Sequence, residues 1–123
     1  MSGLTLDAGA LIGLDRASGR VRGLLRASGG GAVRIPAPVL AQVWRSGSRQ
    51  ALLSRLLDAD ATEVVALDRE AAQAVGALLA VSGTRDVVDA AVVVCAWAHG
   101  DVVVTSDPDD LRRLDPTLRL VAL

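Results

Sequence analysis

The stretch that decides the fold runs from residue 86 to residue 107 and reads DVVDAAVVVCAWAHGDVVVTSD. Residues 86–99 form an apolar run with one charge inside it, Asp89, and they are followed by Gly100, a residue type that commonly ends helices. Residues 102–105 are Val-Val-Val-Thr, which is typical of a buried strand in a parallel sheet. A helix that leads directly into such a strand predicts an α/β fold.

The same alternation continues outward to both ends of the chain. Apolar segments predict five strands, at Leu4–Leu6, Ala32–Ile35, Glu63–Leu67, Val102–Thr105 and Leu118–Leu123. Helical spacing predicts the intervening helices at Ala8–Ala17, Val21–Leu25, Val39–Arg45, Gln50–Leu57, Asp68–Val81 (with Asp68 as its N-cap), Asp86–His99 and Pro108–Leu114. This order predicts a parallel five-stranded sheet flanked by helices on both faces, in a single domain of residues 1–123.

Composition excludes several classes of protein. With 123 residues and 51% hydrophobic content, the chain is long and apolar enough to fold around one core, so a disordered chain is excluded. The single cysteine, Cys95, excludes an internal disulfide and a cysteine-based zinc site. No apolar run reaches 18 residues and no signal-peptide pattern opens the chain, so we expect a cytoplasmic protein with no membrane segment.

The charge balance argues against a polycation that coats nucleic acid. The formal net charge is −1, and all 13 basic residues are arginine. Contact with nucleic acid would therefore need a local arginine group, for which Arg45 and Arg49, with Arg55 beyond them, are the best candidates. Ordinary solvated arginines in a chain without lysine are at least as good an interpretation of these residues.

Four aspartates are placed where their carboxylates could meet. Asp7 and Asp107 each follow a predicted strand, while Asp86 and Asp89 lie three residues apart at the start of one helix, on the same face. If the two strands are neighbours, the four carboxylates converge at one edge of the sheet. Hard oxygen ligands of this kind suit Mg²⁺ or Mn²⁺, which can activate water against a phosphodiester.

Each of these aspartates also has a structural interpretation. Asp7, Asp86 and Asp107 all precede helices, where aspartate is a favoured N-cap. Asp89 is harder to explain in this way, because a charge inside an apolar run needs a partner or a cation. The remaining acidic residues near these motifs, Asp15, Asp109 and Asp110, are expected to be solvated surface charges.

Three segments resemble the motifs of the PIN domain family, in the family's order and spacing. They are LTLDAGALI at residues 4–12, VDAA at residues 88–91 and VTSDPDDL at residues 104–111. The size is similar to that of VapC-type toxins from bacterial toxin–antitoxin pairs. The resemblance implies a Mg²⁺- or Mn²⁺-dependent ribonuclease that acts on RNA, usually a homodimer, and inhibited by a small antitoxin protein.

The chain departs from the family pattern at one position. Gln42, in the segment PAPVLAQVW at residues 36–44, occupies the place where the family usually has a glutamate. We expect a metal held by Asp7, Asp89 and Asp107, with Asp86 supplying a fourth charge and Gln42 a neutral oxygen; the four aspartates would also be catalytic. The alternative is a catalytically weak or inactive binding or dimerisation module with the same fold, in which the aspartates are caps and solvated charges.

Overall fold

The computed structural model describes residues 3–123, which form an alternating α/β chain. Its elements are β1 (Leu4–Leu6), α1 (Ala8–Asp15), α2 (Gly19–Ala27), β2 (Val33–Pro36), α3 (Ala37–Val43), α4 (Ala51–Asp58), β3 (Thr62–Val65), α5 (Arg69–Ser82), α6 (Val87–His99), β4 (Val102–Thr105), α7 (Pro108–Leu114) and β5 (Leu120–Ala122). The predicted fold class is confirmed. Asp68 caps α5 as expected, since its Oδ1 accepts a hydrogen bond from Ala71 N at 2.8 Å.

The strand order brings the first and fourth strands together at the centre of the sheet. The order is β3-β2-β1-β4-β5, and every neighbouring pair is parallel. Leu4 pairs with Val33 of β2 on one side and with Val102 of β4 on the other. Because parallel strands end at the same edge, the residues that follow β1 and β4 lie side by side, and this was the condition for the aspartates to meet.

Burial along β4 shows that both faces of the sheet are covered. Val103, Val104 and Thr105 are all buried, although successive side chains of a strand point to opposite faces. The near-continuous apolar sequence of α6 has the same cause, because this helix packs on the sheet and against α5, α3 and α7. Its buried residues are Ala90, Ala91, Val92, Val93, Cys95 and Ala96.

Some element boundaries differ from the sequence predictions for identifiable reasons. Helix α3 begins at Ala37, with Pro38 in its first turn, and ends at Val43, so Arg45 lies outside the helix predicted to contain it. The amide of Gln50 accounts for this end: its Oε1 accepts from Arg45 N at 2.7 Å and its Nε2 donates to Val43 O at 3.0 Å. Gln50 is buried, and it fixes the chain reversal after α3.

The ends of α1 and β5 also differ. Helix α1 ends at Asp15 rather than Ala17, because Ala17 has a left-handed conformation with φ of 58°. Strand β5 is shorter than the predicted Leu118–Leu123, since Asp115 accepts from Thr117 N at 2.8 Å and holds the preceding residues in a turn. None of the helices within residues 3–123 is long and apolar enough to cross a membrane.

Candidate functional site

Asp7 is fixed at the carboxyl end of the central strand. It follows β1, caps α1 through a hydrogen bond from Ala10 N to its Oδ1 at 2.9 Å, and is only 6% exposed. Burial raises the pKa of this carboxyl, while hydrogen bonding with the Thr105 hydroxyl and with the backbone of Ala10 and Ser106 opposes the rise. The result is a buried, immobile carboxylate at the edge of the sheet.

Asp89 reports that the other carboxylates are close. It lies in the first turn of α6 and is partly buried. Burial raises its pKa to about 6, and four further carboxylates contribute through their negative charge: Asp86, Asp110, Asp107 and Asp7, in decreasing order. The structure thus brings all four predicted aspartates within electrostatic range of one another.

Asp86 and Asp107 occupy the exposed side of this cluster. Asp86 is the N-cap of α6, with its Oδ1 accepting from Asp89 N at 2.9 Å. Asp107 precedes α7 but makes no side-chain cap hydrogen bond. The capping interpretation is therefore confirmed for Asp7 and Asp86 and wrong for Asp107. Capping does not exclude a site, because a carboxylate has two oxygens and several lone pairs.

Thr105 ties Asp7 to Asp107. It is fully buried at the end of β4, and its Oγ1 accepts from Asp107 N at 2.8 Å. The same hydroxyl is hydrogen-bonded with the Asp7 carboxyl and lowers its pKa. The sequence analysis placed Thr105 in a strand and a motif without assigning it this contact; the available signal was a hydroxyl two residues before Asp107.

Asp110 belongs to the cluster, which corrects the expectation that it is a solvated charge. Although exposed, it lines a cleft of about 190 Å³ together with Asp86 and Asp89. It also lines a second cleft, of about 270 Å³, that contains Asp107. The reason is that α7 packs against α6, which brings the first turn of α7 to the first turn of α6. The three-residue spacing from Asp107 was the sequence signal for this placement.

A glycine allows the two strand ends to approach. A Cβ on Gly9 would overlap the Ser106 side chain and would lie 3.3 Å from Asp7 Oδ1. The loop that carries Asp107 therefore rests directly on the first turn of α1. No larger residue fits at position 9 without moving Ser106 away from Asp7.

The remaining predicted site residues lie outside the two clefts. Gln42 is exposed near the end of α3, and no hydrogen bond within residues 3–123 joins its side chain to an aspartate. Arg45 and Arg49 are exposed and line neither cleft; Arg45 Nη1 donates instead to Trp44 O at 2.6 Å. Their proposed contacts with metal and with nucleic acid stay predictions.

The donor set fits a hard divalent cation, although the ligands are not gathered around one point. Within residues 3–123, no three His, Cys, Asp or Glu side chains converge closely enough to surround an ion. The available donors are carboxylate oxygens, which suit Mg²⁺ and Mn²⁺. The raised pKa of Asp89 shows uncompensated negative charge that a cation would neutralise.

A second polar cluster, at the opposite edge of the sheet, was missed by the sequence analysis. Asp101 precedes β4 and is buried, accepting from Gly3 N at 2.9 Å, Thr5 Oγ1 at 2.9 Å and Arg34 Nη1 at 2.7 Å. Arg34 Nε lies 3.6 Å from Glu63 Oε2. The cluster joins β1, β2 and β4 and is structural; its only signal in the sequence was an aspartate directly before a valine-rich strand.

Comparison with known proteins gives a family and a fold. The PIN domain family model matches residues 4–115. No curated protein matches the chain in sequence.

Solved structures with the same fold come from three bacteria. DNA-bound VapBC from Salmonella typhimurium is 21% identical with a TM-score of 0.72, covering 99% of this chain and 98% of that one. VapBC2 from Rickettsia felis, bound to a promoter DNA fragment, is 17% identical with a TM-score of 0.74, covering 98% of each chain. A toxin–antitoxin complex from Klebsiella pneumoniae is 16% identical with a TM-score of 0.75, covering 98% of this chain and 97% of that one.

Proposed function

Because this chain belongs to the PIN domain family, we propose that it is a Mg²⁺- or Mn²⁺-dependent endoribonuclease and the toxin of a type II toxin–antitoxin pair. The observation that carries the proposal is the electrostatic coupling of Asp89 to Asp7, Asp86 and Asp107 at one edge of the sheet. Like charges held this close raise the free energy of the ionised site, and a bound cation relieves that cost.

Each aspartate has a distinct task in this proposal. Asp7, Asp89 and Asp107 hold the cation, with Asp86 adding negative charge and Gln42 offering a neutral oxygen. The cation supplies a water of lowered pKa and neutralises charge on the scissile phosphate. Thr105 is a positioning residue, because its hydroxyl contacts both Asp7 and the backbone of Asp107.

Cleavage of single-stranded RNA by the purified protein tests the activity. We expect cleavage with Mn²⁺, none with EDTA, and a loss of at least about a hundredfold in Asp7→Asn and Asp89→Asn, since these remove a ligand from the reacting centre. Asp60→Asn is the matched control, because Asp60 is exposed and makes no ion pair or hydrogen bond within residues 3–123. Cleavage that survives EDTA or both ligand variants would contradict the proposal.

The alternative is a non-catalytic module with the same fold. It is favoured by the observation that Asp7 and Asp86 do cap helices, through Ala10 N and Asp89 N. It predicts no RNA cleavage with either metal and no change in thermal stability on adding Mn²⁺. The same assay therefore decides between the two functions.

We propose two protein partners: a small antitoxin and a second copy of this chain. The titles of the similar structures describe VapBC and toxin–antitoxin complexes, which supports the antitoxin. Trp97 is 50% exposed beside an apolar groove between α5 and α6, which supports a homodimer. Light scattering should give twice 12.6 kDa, and the antitoxin should suppress RNA cleavage; a monomer at all micromolar concentrations would contradict the dimer.

A further inference from the structure

We propose that Arg85 and Arg113 bind the phosphates of a single-stranded RNA that lies across the acidic clefts. This inference rests on the proposed nuclease function and names side chains that would hold its substrate. It differs from the sequence prediction, which assigned this contact to Arg45 and Arg49.

Arg113 lies on the boundary between the two acidic clefts. It lines the cleft that contains Asp86 and Asp89 and also the cleft that contains Asp107. Its Nη1 is 3.7 Å from Asp110 Oδ1, and both side chains are largely exposed. An exposed pair at this distance is weak, so the guanidinium can exchange it for a phosphate at little cost.

Arg85 lines the first of these clefts from the loop between α5 and α6. Gly83, with φ of 70°, ends α5 in the left-handed conformation, and Asp86 caps α6. Between them, the Ser82 and Thr84 hydroxyls are hydrogen-bonded at 2.9 Å. The loop is thus fixed at both ends, which holds the backbone of Arg85 at the rim of the cleft while its side chain is exposed.

Charge complementarity explains why cations are needed here. A polyanion that approaches five coupled carboxylates is repelled over roughly 8–10 Å, the screening length at physiological salt. Guanidinium groups bind phosphate through two parallel hydrogen bonds and remain charged at all relevant pH values. Within residues 3–123, neither Arg85 nor Arg113 donates a hydrogen bond to the protein, whereas Arg20 and Arg119 each donate one to a backbone carbonyl.

Salt dependence of RNA binding tests the assignment. A fluorescein-labelled single-stranded RNA is titrated with parent protein and with the Arg85→Gln/Arg113→Gln variant, by anisotropy, with Ca²⁺ present and a gel to confirm intact RNA. Each phosphate contact contributes about 0.7 to the slope of log affinity against log salt for a single strand. The double variant should therefore lose about 1.4 from this slope, so that a tenfold rise in salt weakens parent binding about 25-fold more than variant binding.

The matched control is Arg22→Gln/Arg112→Gln, which removes the same charge. Arg112 is exposed on the same helix as Arg113 but lines neither cleft, and Arg22 is exposed on α2. We expect the control to keep the parent slope. In cleavage assays with Mn²⁺, Arg85→Gln/Arg113→Gln should raise KM with little change in kcat, because the lost contacts bind substrate and do not touch the reacting atoms.

Every result bears on the inference. Equal slopes and equal KM for the parent and Arg85→Gln/Arg113→Gln, in a protein that cleaves RNA, would overturn the inference and leave the nuclease function standing. A parent protein that neither binds nor cleaves RNA would overturn both. Tight binding of an acidic peptide that depends on Arg85 and Arg113, with an unchanged RNA slope, would show that the two arginines recognise a protein and would also overturn the inference.

Discussion

Replacing Asp89 by asparagine should stabilise the metal-free protein at neutral pH. The Asp89 carboxylate accepts no hydrogen bond within residues 3–123, so the substitution removes a charge without breaking a contact. What it does remove is a partly buried charge that faces Asp86, Asp110, Asp107 and Asp7. The variant therefore separates the electrostatic cost of the site from its packing.

The pKa of Asp89 fixes the size and the pH range of this effect. A rise from 3.8 to about 6 corresponds to roughly 3 kcal/mol, and partial exposure reduces the expected value to about 1–2 kcal/mol. Because the folded pKa is above the unfolded one, ionisation of Asp89 destabilises the fold. The cost is absent below pH 3.8, grows as pH rises towards about 6 and is fully present above it.

Thermal unfolding followed by circular dichroism checks both features. In EDTA at a pH of about 7.5, Asp89→Asn should melt roughly 4–8 °C above the parent, and the difference should vanish at a pH of about 4. Asp60→Asn, which removes an exposed charge, should match the parent at both pH values. In saturating Mn²⁺ the order should reverse, since a ligand at 100 times its Kd adds about 3 kcal/mol to the parent alone.

Two results would refute this reasoning. An Asp89→Asn protein no more stable than the parent in EDTA at neutral pH would mean that the carboxylate is not destabilised by its neighbours. A stability difference that persists unchanged to a pH of about 4 would mean that its origin is not the ionisation of Asp89.

Three further substitutions test other parts of the structure. Gly9→Ala should cost about 1–3 kcal/mol in urea denaturation and weaken Mn²⁺ binding in calorimetry, because the new Cβ overlaps Ser106. Asp101→Asn should cost about 3 kcal/mol in urea denaturation with Mn²⁺ affinity unchanged, since it leaves the largely buried Arg34 without its closest anion. Gln42→Glu should raise Mn²⁺ affinity by about tenfold or more, because an opposite charge near the cation gains about 4 kcal/mol at intermediate dielectric and loses part of it to repulsion in the metal-free state.

Controls exist for each of these variants. Gly76→Ala, in the middle of α5 with open space around the position, should leave stability unchanged or raise it slightly. Mn²⁺ binding by Gly9→Ala at parental affinity would show that Ser106 moves without disturbing Asp7. An unchanged Mn²⁺ affinity in Gln42→Glu would show that position 42 does not face the cation.

The fold was largely predictable because its signals are local. Valine runs, the glycine after His99 and the aspartates before helices each act over a few residues, and they gave the helix α6 and the strand β4 within one residue. The strand order needed long-range pairing, so the sequence supported the neighbourhood of β1 and β4 only as a condition. Boundaries failed where a distant side chain intervenes, as Gln50 does at the end of α3.

The acidic site was predictable in its members and less so in its limits. Asp7, Asp86, Asp89 and Asp107 come together because strand ends and helix starts share one edge of a parallel sheet. Asp110 was assigned to solvent because its place depends on how α7 packs against α6, which the short sequence of α7 does not encode. The burial of Asp101 depends likewise on Arg34 of another strand, so no local pattern reveals it.

The central position of β1 has a consequence for how the chain folds. Leu4 pairs with Val102, so the first strand to be synthesised waits for a partner 98 positions later in the sequence. Closing such a loop costs entropy before any contact is gained, which predicts slow folding that depends on the late segments of the chain. A ribosome-bound chain accordingly has Asp7 and Asp89 long before Asp107, and its acidic edge is assembled only when β4 and α7 have been released.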